Sequence, residues 1–444
     1  MDYVFNLTLA QMGFWITWLL IPLLVEIIPG IYSICYLFFK KFRIKPLELP
    51  EKLPFITVII PVYNSADSLY KCIQSIDASS YPNENIQIIL ADNGSTDSSF
   101  SVFDEAHNQF NHLNMHWIRT EQGKAQALNS AIYNSIGTYI INIDSDGYLE
   151  PTALMNMVLN FESNCSISAM TGTILTQKEV IEKTKSSLIR WVQKSEYIEY
   201  AQSFLAGRNV EAMNNHLFTM AGAFSGFRKE ILINTYLYNT DTVGEDTDMT
   251  FQIRHRLKGK VSLCENAIFY VEPIQTLDEL YIQRQRWQRG ELEVAKDYSE
   301  EQVGLSKFFD NFLVRRLIID HTFIFPKMIW LFASTVLFFF GYTVKILFLS
   351  YLLIYLLYFF DSLLKFISIS LLLQSFKSEQ KFYFKQWIEV LTFPFYNFLI
   401  SWFRLIGIIN EITSTSKWNA TPFSKEIGQI KETISNDLMK IRKK

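Results

Sequence analysis

The chain has 444 residues, 49% of them hydrophobic and 37 of them phenylalanine, with only 19% charged residues and a formal net charge of −3. It is too apolar for an ordinary soluble protein and too long for a single domain, so a membrane protein carrying a soluble domain is the expected class. Near-neutral charge argues against a general nucleic-acid binder, which needs a basic surface. The four cysteines, Cys35, Cys72, Cys165 and Cys264, have no CxxC spacing and point to neither a zinc site nor a disulfide framework.

Residues 13–39 read GFWITWLLIPLLVEIIPGIYSICYLFF, long enough to cross about 30 Å of hydrocarbon. Lys40, Lys41, Arg43 and Lys45 follow at once, whereas the residues before hold Asp2 and no Lys or Arg. This asymmetry places the start of the chain outside and everything after Lys40 in the cytoplasm. The run is too long for a signal peptide and lacks both a basic leader and a small-residue cleavage site, so residues 1–45 are read as an anchor.

Residues 46–305 have the composition of a globular α/β domain. FITVIIPVYN (Phe55 to Asn64) is a buried-strand pattern ending in a polar loop, DSLYKCIQSID has helical spacing, and IQIILADNGSTD (Ile86 to Asp97) repeats strand and loop. A third unit runs from GKAQALNSAIYNS into TYIINIDSDG. The alternation predicts a doubly wound sheet, with Asn64, Asp92, Asp144 and Asp146 at carboxyl ends of strands, where such sheets bind ligands.

Residues 306–412 turn apolar again. Candidate spans are 323–344, 346–373 and 390–409, and LSKFFDNFLVRRLIID before them reads as an interfacial helix. Lys377, Lys381, Lys385 and the closing KIRKK are all basic enough to be cytoplasmic, and three full crossings would break that parity. The segment with Pro394 and Arg404 is therefore expected to be re-entrant or interfacial, leaving 413–444 as a cytoplasmic tail. Glu26, Asp361 and Lys365 fall in apolar segments, and Lys365 one turn after Asp361 fits a local ion pair.

The chemistry concentrates in acidic loops. IDSDG sets Asp144 and Asp146 two residues apart, which suits Mg²⁺ or Mn²⁺ as well as it suits a plain turn. Asp92 in ADNGSTD is equally open to turn chemistry. Glu245 and Asp246 precede an amphipathic helix and read either as caps or as a general base. The stretch YIQRQRWQRG (Tyr281 to Gly290) crowds Arg284, Arg286 and Arg289 around Trp287, which calls for a bound anion. Glycosyl transfer from a nucleotide diphosphate sugar accounts for all of these together.

The whole set resembles the membrane-integrated family 2 inverting glycosyltransferases, which include cellulose, hyaluronan and poly-N-acetylglucosamine synthases. The motifs that carry it are Pro61, Tyr63 and Asn64; Asp92 with Gly94 and Ser95; GKAQALN with Lys124; IDSDG; AGAFSGFRKE; GEDTD; and QRQRW. EYIEYAQSFLAGRN and QRQRWQRGELEV resemble a Gram-positive branch found beside exosortase-type genes. The resemblance implies a GT-A-type nucleotide-sugar-binding domain inserted between N- and C-terminal transmembrane helices, in a multi-pass bacterial cell-membrane protein with a cytoplasmic catalytic domain. It gives Tyr63, Asn64, Asp92, Lys124, Asp144 and Arg286 to the nucleotide sugar and Asp146 to Mg²⁺ or Mn²⁺. Asp246 becomes the base, oriented by Glu245. Gly222, Phe224, Ser225, Gly226, Phe227, Gln283 and Trp287 go to the acceptor. Two departures stand out: Ser65 and Ala66 follow Asn64 where the family carries Glu, and Asn93 follows Asp92 where it often carries a second Asp.

The leading expectation is thus a processive synthase that extends a β-linked polysaccharide from a UDP-sugar and passes it across the bilayer, with accessory membrane proteins as partners. Single transfer to a polyprenyl-phosphate or other lipid-linked acceptor is the second enzyme reading, and a non-catalytic nucleotide-sugar binder is the third. An intact Asp246 counts against the last.

Overall fold

A computed structural model describes residues 23–41, 49–300, 343–413 and 422–425, with isolated positions between 336 and 341. The start of the anchor, the expected interfacial helix after residue 304, most of segment 323–344, the Glu26 side chain and the basic tail lie outside the described residues.

Eight strands form one sheet: β1 (Ile56–Val62), β2 (Ile86–Asp92), β3 (Asn114–Arg119), β4 (Tyr139–Ile143), β5 (Gly147–Leu149), β6 (Ile167–Thr176), β7 (Phe224–Arg228) and β8 (Lys260–Val271). Their order is β3-β2-β1-β4-β7-β6-β8-β5. The β3-β2-β1-β4 half is parallel throughout. Every residue of β1 is buried, because successive side chains enter cores on opposite faces. Ile56, Val58 and Ile60 meet the helix Leu69–Asp77, while Ile59 meets α1 (Lys124–Asn134) through Ala127, Leu128 and Ala131.

The other half corrects the doubly wound expectation: β7 runs antiparallel to both β4 and β6, and β5 antiparallel to β8, so the sheet is mixed. The short β7, FSGFR, interleaves Ser, Gly and Arg with its two aromatics and so carries no continuous apolar run. Buried contacts make it a strand, with Gly226 close to Phe161 and Met157 of the helix Ala153–Ser163.

Three further helices complete the site region. α2 (Ser187–Tyr200) continues through a wide π-helical segment, Ala201–Gly207, into a short helix at Arg208–Met213. α3 (Glu245–Phe251) is short, and α4 (Leu277–Glu300) carries the Arg-Trp stretch. Beyond it come α5 (Val344–Leu372), a helix at Lys377–Lys385 and α6 (Glu389–Thr413). Two stretches, Leu347–Ser375 and Lys377–Asn410, are long and apolar enough to cross a membrane. The N-terminal helix Ile28–Lys41 packs on α5, where Gly30 lies against Leu364 and Asp361. Lys365 and Asp361 form an ion pair one turn apart at 2.6 Å.

α6 lies along the α/β domain over most of its length. Trp191 Nε1 donates to Thr392 Oγ1 at 2.9 Å, Lys194 pairs with Glu389 at 2.6 Å, and Arg404 Nε donates to Gln288 Oε1 at 2.6 Å. Phe403 packs edge-on against Tyr281 of α4. A single apolar core joins α2, α4, α5 and α6.

Candidate active site

The crevice opens at the carboxyl ends of β1, β2 and β4, where the chain leaves β1 toward β2 on one side and β4 lies on the other. Its floor is a set of mutually bonded loops. Asn64 adopts a left-handed backbone, φ 47°, and its Oδ1 accepts from Thr96 N at 2.8 Å. Asp97 accepts from Ala66 N at 3.0 Å and from Ser99 Oγ at 2.6 Å, so an acidic residue from the neighbouring loop braces the Ser65–Ala66 turn. Asp92 Oδ1 accepts from Ser95 N at 2.9 Å, which is turn chemistry. Tyr63 stands exposed at the rim.

β4 delivers Asp144, whose Oδ1 accepts from Lys124 Nζ at 2.6 Å. Lys124 is the first residue of α1, reached through Gly123 at φ +138°, a conformation that suits glycine. Burial works against its ammonium, but Asp144, Glu245 and Asp246 more than offset it and hold its proton above the ordinary lysine range. Between the two acids, Ser145 shares a hydroxyl contact with Ser65 at 2.7 Å, and its carbonyl accepts from Ser68 Oγ at 2.8 Å. Asp146 remains solvent-accessible although protein crowds it, and crowding together with the Asp144 charge pushes its carboxyl up to about 6.

α3 begins at the other wall with Glu245 and Asp246. Asp246 Oδ2 accepts from Gly222 N at 3.1 Å, and Oδ1 accepts from Thr247 N at 2.7 Å. A side chain at Gly222 would press on that carboxylate. Burial raises the Glu245 carboxyl to about 7; Lys124 and Arg286 oppose the rise and Asp246 adds to it. One lysine therefore sits electrostatically between two carboxylate pairs drawn from loops about 100 residues apart.

The three arginines of α4 part company. Arg284 is buried, and its Nη2 donates to Glu199 Oε2 at 2.6 Å. Arg289 pairs with Glu293 at 3.0 Å. Arg286 is exposed and acts on Glu245 at the crevice. The expectation that the cluster as a whole faces an anion is thus corrected: their positions along the helix turn the three side chains to different partners. Trp287 is 40% exposed, with its ring 6.0 Å from Tyr200 and 5.9 Å from Phe204. Gln283 Nε2 donates to Tyr200 Oη at 3.3 Å.

Lys124, Asp144, Asp146, Glu245, Asp246 and Arg286 converge on one crevice, with Gly222 touching Asp246. Four of the acceptor assignments do not fit this arrangement: Phe224, Ser225, Gly226 and Phe227 form β7, and both phenylalanines are completely buried in the sheet cores. Sequence reasoning passed over Tyr200, Phe204 and Glu199 as neighbours of Trp287. Their signal was the pair Glu196 and Glu199, three residues apart and so on one face of a helix that also carries Tyr200.

Residues 57–235 match the family model described as Glycosyl transferase family 2. Poly-beta-1,6-N-acetyl-D-glucosamine synthase of Staphylococcus epidermidis is 24% identical over 279 residues, 62% of this chain and 64% of that protein. The Staphylococcus aureus enzyme of the same name (strain MSSA476) is 25% identical over 280 residues, with the same shares. The matched region thus spans somewhat less than two thirds of these relatives. A mannosyltransferase from Pyrobaculum calidifontis, solved with GDP-Man and Mn²⁺, superposes with a TM-score of 0.51 at 14% identity over 86% of this chain and 95% of its own, a likeness of fold.

Proposed function

We propose that this protein is a membrane-bound, inverting glycosyltransferase that takes sugar from a UDP-sugar and adds it repeatedly to a β-linked polysaccharide on the cytoplasmic side. The observation that carries the reading is the crevice where Lys124, Asp144, Asp146, Glu245 and Asp246 meet beside the half-exposed Trp287. The similarity to poly-N-acetylglucosamine synthases makes UDP-N-acetylglucosamine the first donor to test.

Roles follow from position. Asn64, Asp92 and Tyr63 border the base and ribose end of the crevice, and Lys124 and Arg286 supply positive charge for a diphosphate. Asp246, fixed by two backbone N–H donors, faces the acceptor side and takes the proton of the attacking hydroxyl. Trp287, backed by Tyr200 and Phe204, offers a ring face to an acceptor sugar.

A divalent cation fits the donor set in part. Among the described residues no group of three ligating side chains occurs, but Asp146 and Asp144 are two oxygen donors whose mutual repulsion a cation would relieve. Phosphate oxygens and water would complete such a shell, as is usual for Mg²⁺ and Mn²⁺ sites. When bound, the ion would neutralise charge developing on the departing diphosphate.

α6, bonded along α2 and α4, supports an interfacial placement for 390–409, with α5 and the N-terminal helix as bilayer elements. Detergent-purified protein incubated with a panel of UDP-sugars and Mg²⁺ or Mn²⁺, scoring UDP release and product length, tests the whole reading. Release with long products supports the synthase. Release with one added sugar on a lipid-linked acceptor replaces it with the single-transfer enzyme, and no release from any donor removes both.

A further inference from the structure

Arg284 is 2% exposed and 4.2 Å from the centre of the Trp287 ring, one turn along the same helix. Its Nη2 donates to Glu199 Oε2 at 2.6 Å, and the same oxygen accepts from Tyr396 Oη at 2.7 Å. The chain of contact runs from α6, through a carboxylate on α2, to the face of the Trp287 ring. Arg284 Nε and Nη1 have no hydrogen-bond partner among the described residues although both are buried. A buried arginine that leaves donors unused is a poor device for stability, since apolar residues of similar size serve a core as well or better. Its planar cation is suited instead to lying against an indole and fixing its tilt.

We infer that Arg284 is a positioning residue: it orients Trp287 as the acceptor platform and, through Glu199 and Tyr396, makes that orientation depend on how α6 is seated. The inference rests on the proposed transfer to a sugar acceptor. It adds that a helix at the membrane boundary controls engagement of the acceptor without touching it. Glu196, completely buried one turn before Tyr200, accepts from Ile274 N at 3.1 Å and closes the far side of the cluster.

The test compares R284M, R284K, E199Q and Y396F in the full-length detergent-purified chain with UDP-N-acetylglucosamine and N-acetylglucosamine oligomers. R284M and Y396F should raise the oligomer concentration for half-maximal rate, or shorten products, at least about threefold, while UDP release without oligomer stays within about twofold; R284K should recover part of the loss, since an ammonium still meets the ring face. A second readout needs no turnover. Acrylamide quenching of Trp287, taken as the difference from the same chain carrying W287F, should rise in R284M and Y396F. Should R284M fail to fold, Y396F decides, because it removes only the hydrogen bond from Tyr396 to Glu199; E199Q, which also takes the counter-charge from Arg284, should move both readouts the same way. Unchanged quenching with unchanged oligomer dependence overturns the inference. Absence of UDP release from the parent chain overturns the proposed function instead, and quenching still decides the role of Arg284.

Discussion

Gly244 and Gly290 touch backbone to backbone: a Cβ built on Gly244 would lie 2.6 Å from the Gly290 carbonyl oxygen, and one on Gly290 would lie 2.8 Å from Gly244 Cα. The first glycine precedes Glu245 and the second follows Arg289, so the close approach sets the distance between the acidic pair and the Arg-Trp helix. Glu293 reinforces it, accepting from Thr242 Oγ1 at 2.9 Å and Val243 N at 3.0 Å. G290A should therefore force α3 and α4 apart, costing about 1–3 kcal/mol by overpacking. Turnover should fall more than stability, and thermal unfolding beside UDP release checks this; an unaltered rate would show that the spacing is not critical.

Asp146→Asn should abolish metal-dependent turnover, because the site would lose one of its two carboxylates and the diphosphate its neutralising partner. Folding should survive, since the residue is solvent-accessible in a loop. Binding of Mn²⁺ followed by its paramagnetic resonance, together with UDP release, checks the assignment. Full activity in the variant would remove it.

Asp246→Asn keeps shape and hydrogen-bonding reach but loses the proposed base, so turnover should drop roughly 10²- to 10⁴-fold with little change in UDP affinity. Trp287→Ala should instead weaken acceptor engagement or shorten product. Lost UDP binding with retained turnover at saturating donor would make Asp246 a substrate ligand.

Glu245 gives a pH signature. Its carboxyl is raised to about 7 in the folded protein, so between the ordinary glutamate range and pH 7 the native state holds a proton that the unfolded chain has released. Its contribution is therefore least unfavourable in acid, and stability declines as pH rises through that window. Glu245→Gln removes the charge; the stability advantage of the variant, followed by thermal unfolding, should grow from about pH 4.5 to 7 and then level, reaching the order of 1–3 kcal/mol. An advantage that does not change with pH would contradict burial of the Glu245 carboxylate as its cause.

Topology is open to reporters. Ser378 Oγ accepts from Lys178 Nζ at 2.8 Å, and Lys178 belongs to the α/β domain, so the proposed topology puts position 378 on the same side as that domain. Fusions at Ser378 and after Lys444 should both report cytoplasm. An external signal after Lys444 would mean that 390–409 crosses.

Much of the parallel half of the sheet was legible because β1, β2 and β4 are buried on both faces and read as apolar runs broken by polar loops. Lys124 and the acidic loops could be placed for the same reason. The arginines could not be separated from sequence alone, because the partner that fixes Arg284 is Glu199, 85 positions earlier in the chain. Nor could β7 be read as a strand: aromatic residues around Ser225 and Gly226 look like a sugar-binding loop until the sheet closes over them. Local pattern reports burial well and direction poorly.

The placement of β8 has a practical consequence. It lies between β6 and β5 in the sheet, yet its residues fall after the last position of the family match at 235. A chain cut at that boundary would lose an inner strand, deprive β5 of its partner and leave one side of β6 without its ladder. The segment by which the family is recognised is therefore smaller than the piece that can fold. Expression of the soluble portion must extend at least through residue 271, and through α4 if the acid pair is to keep its opposing wall.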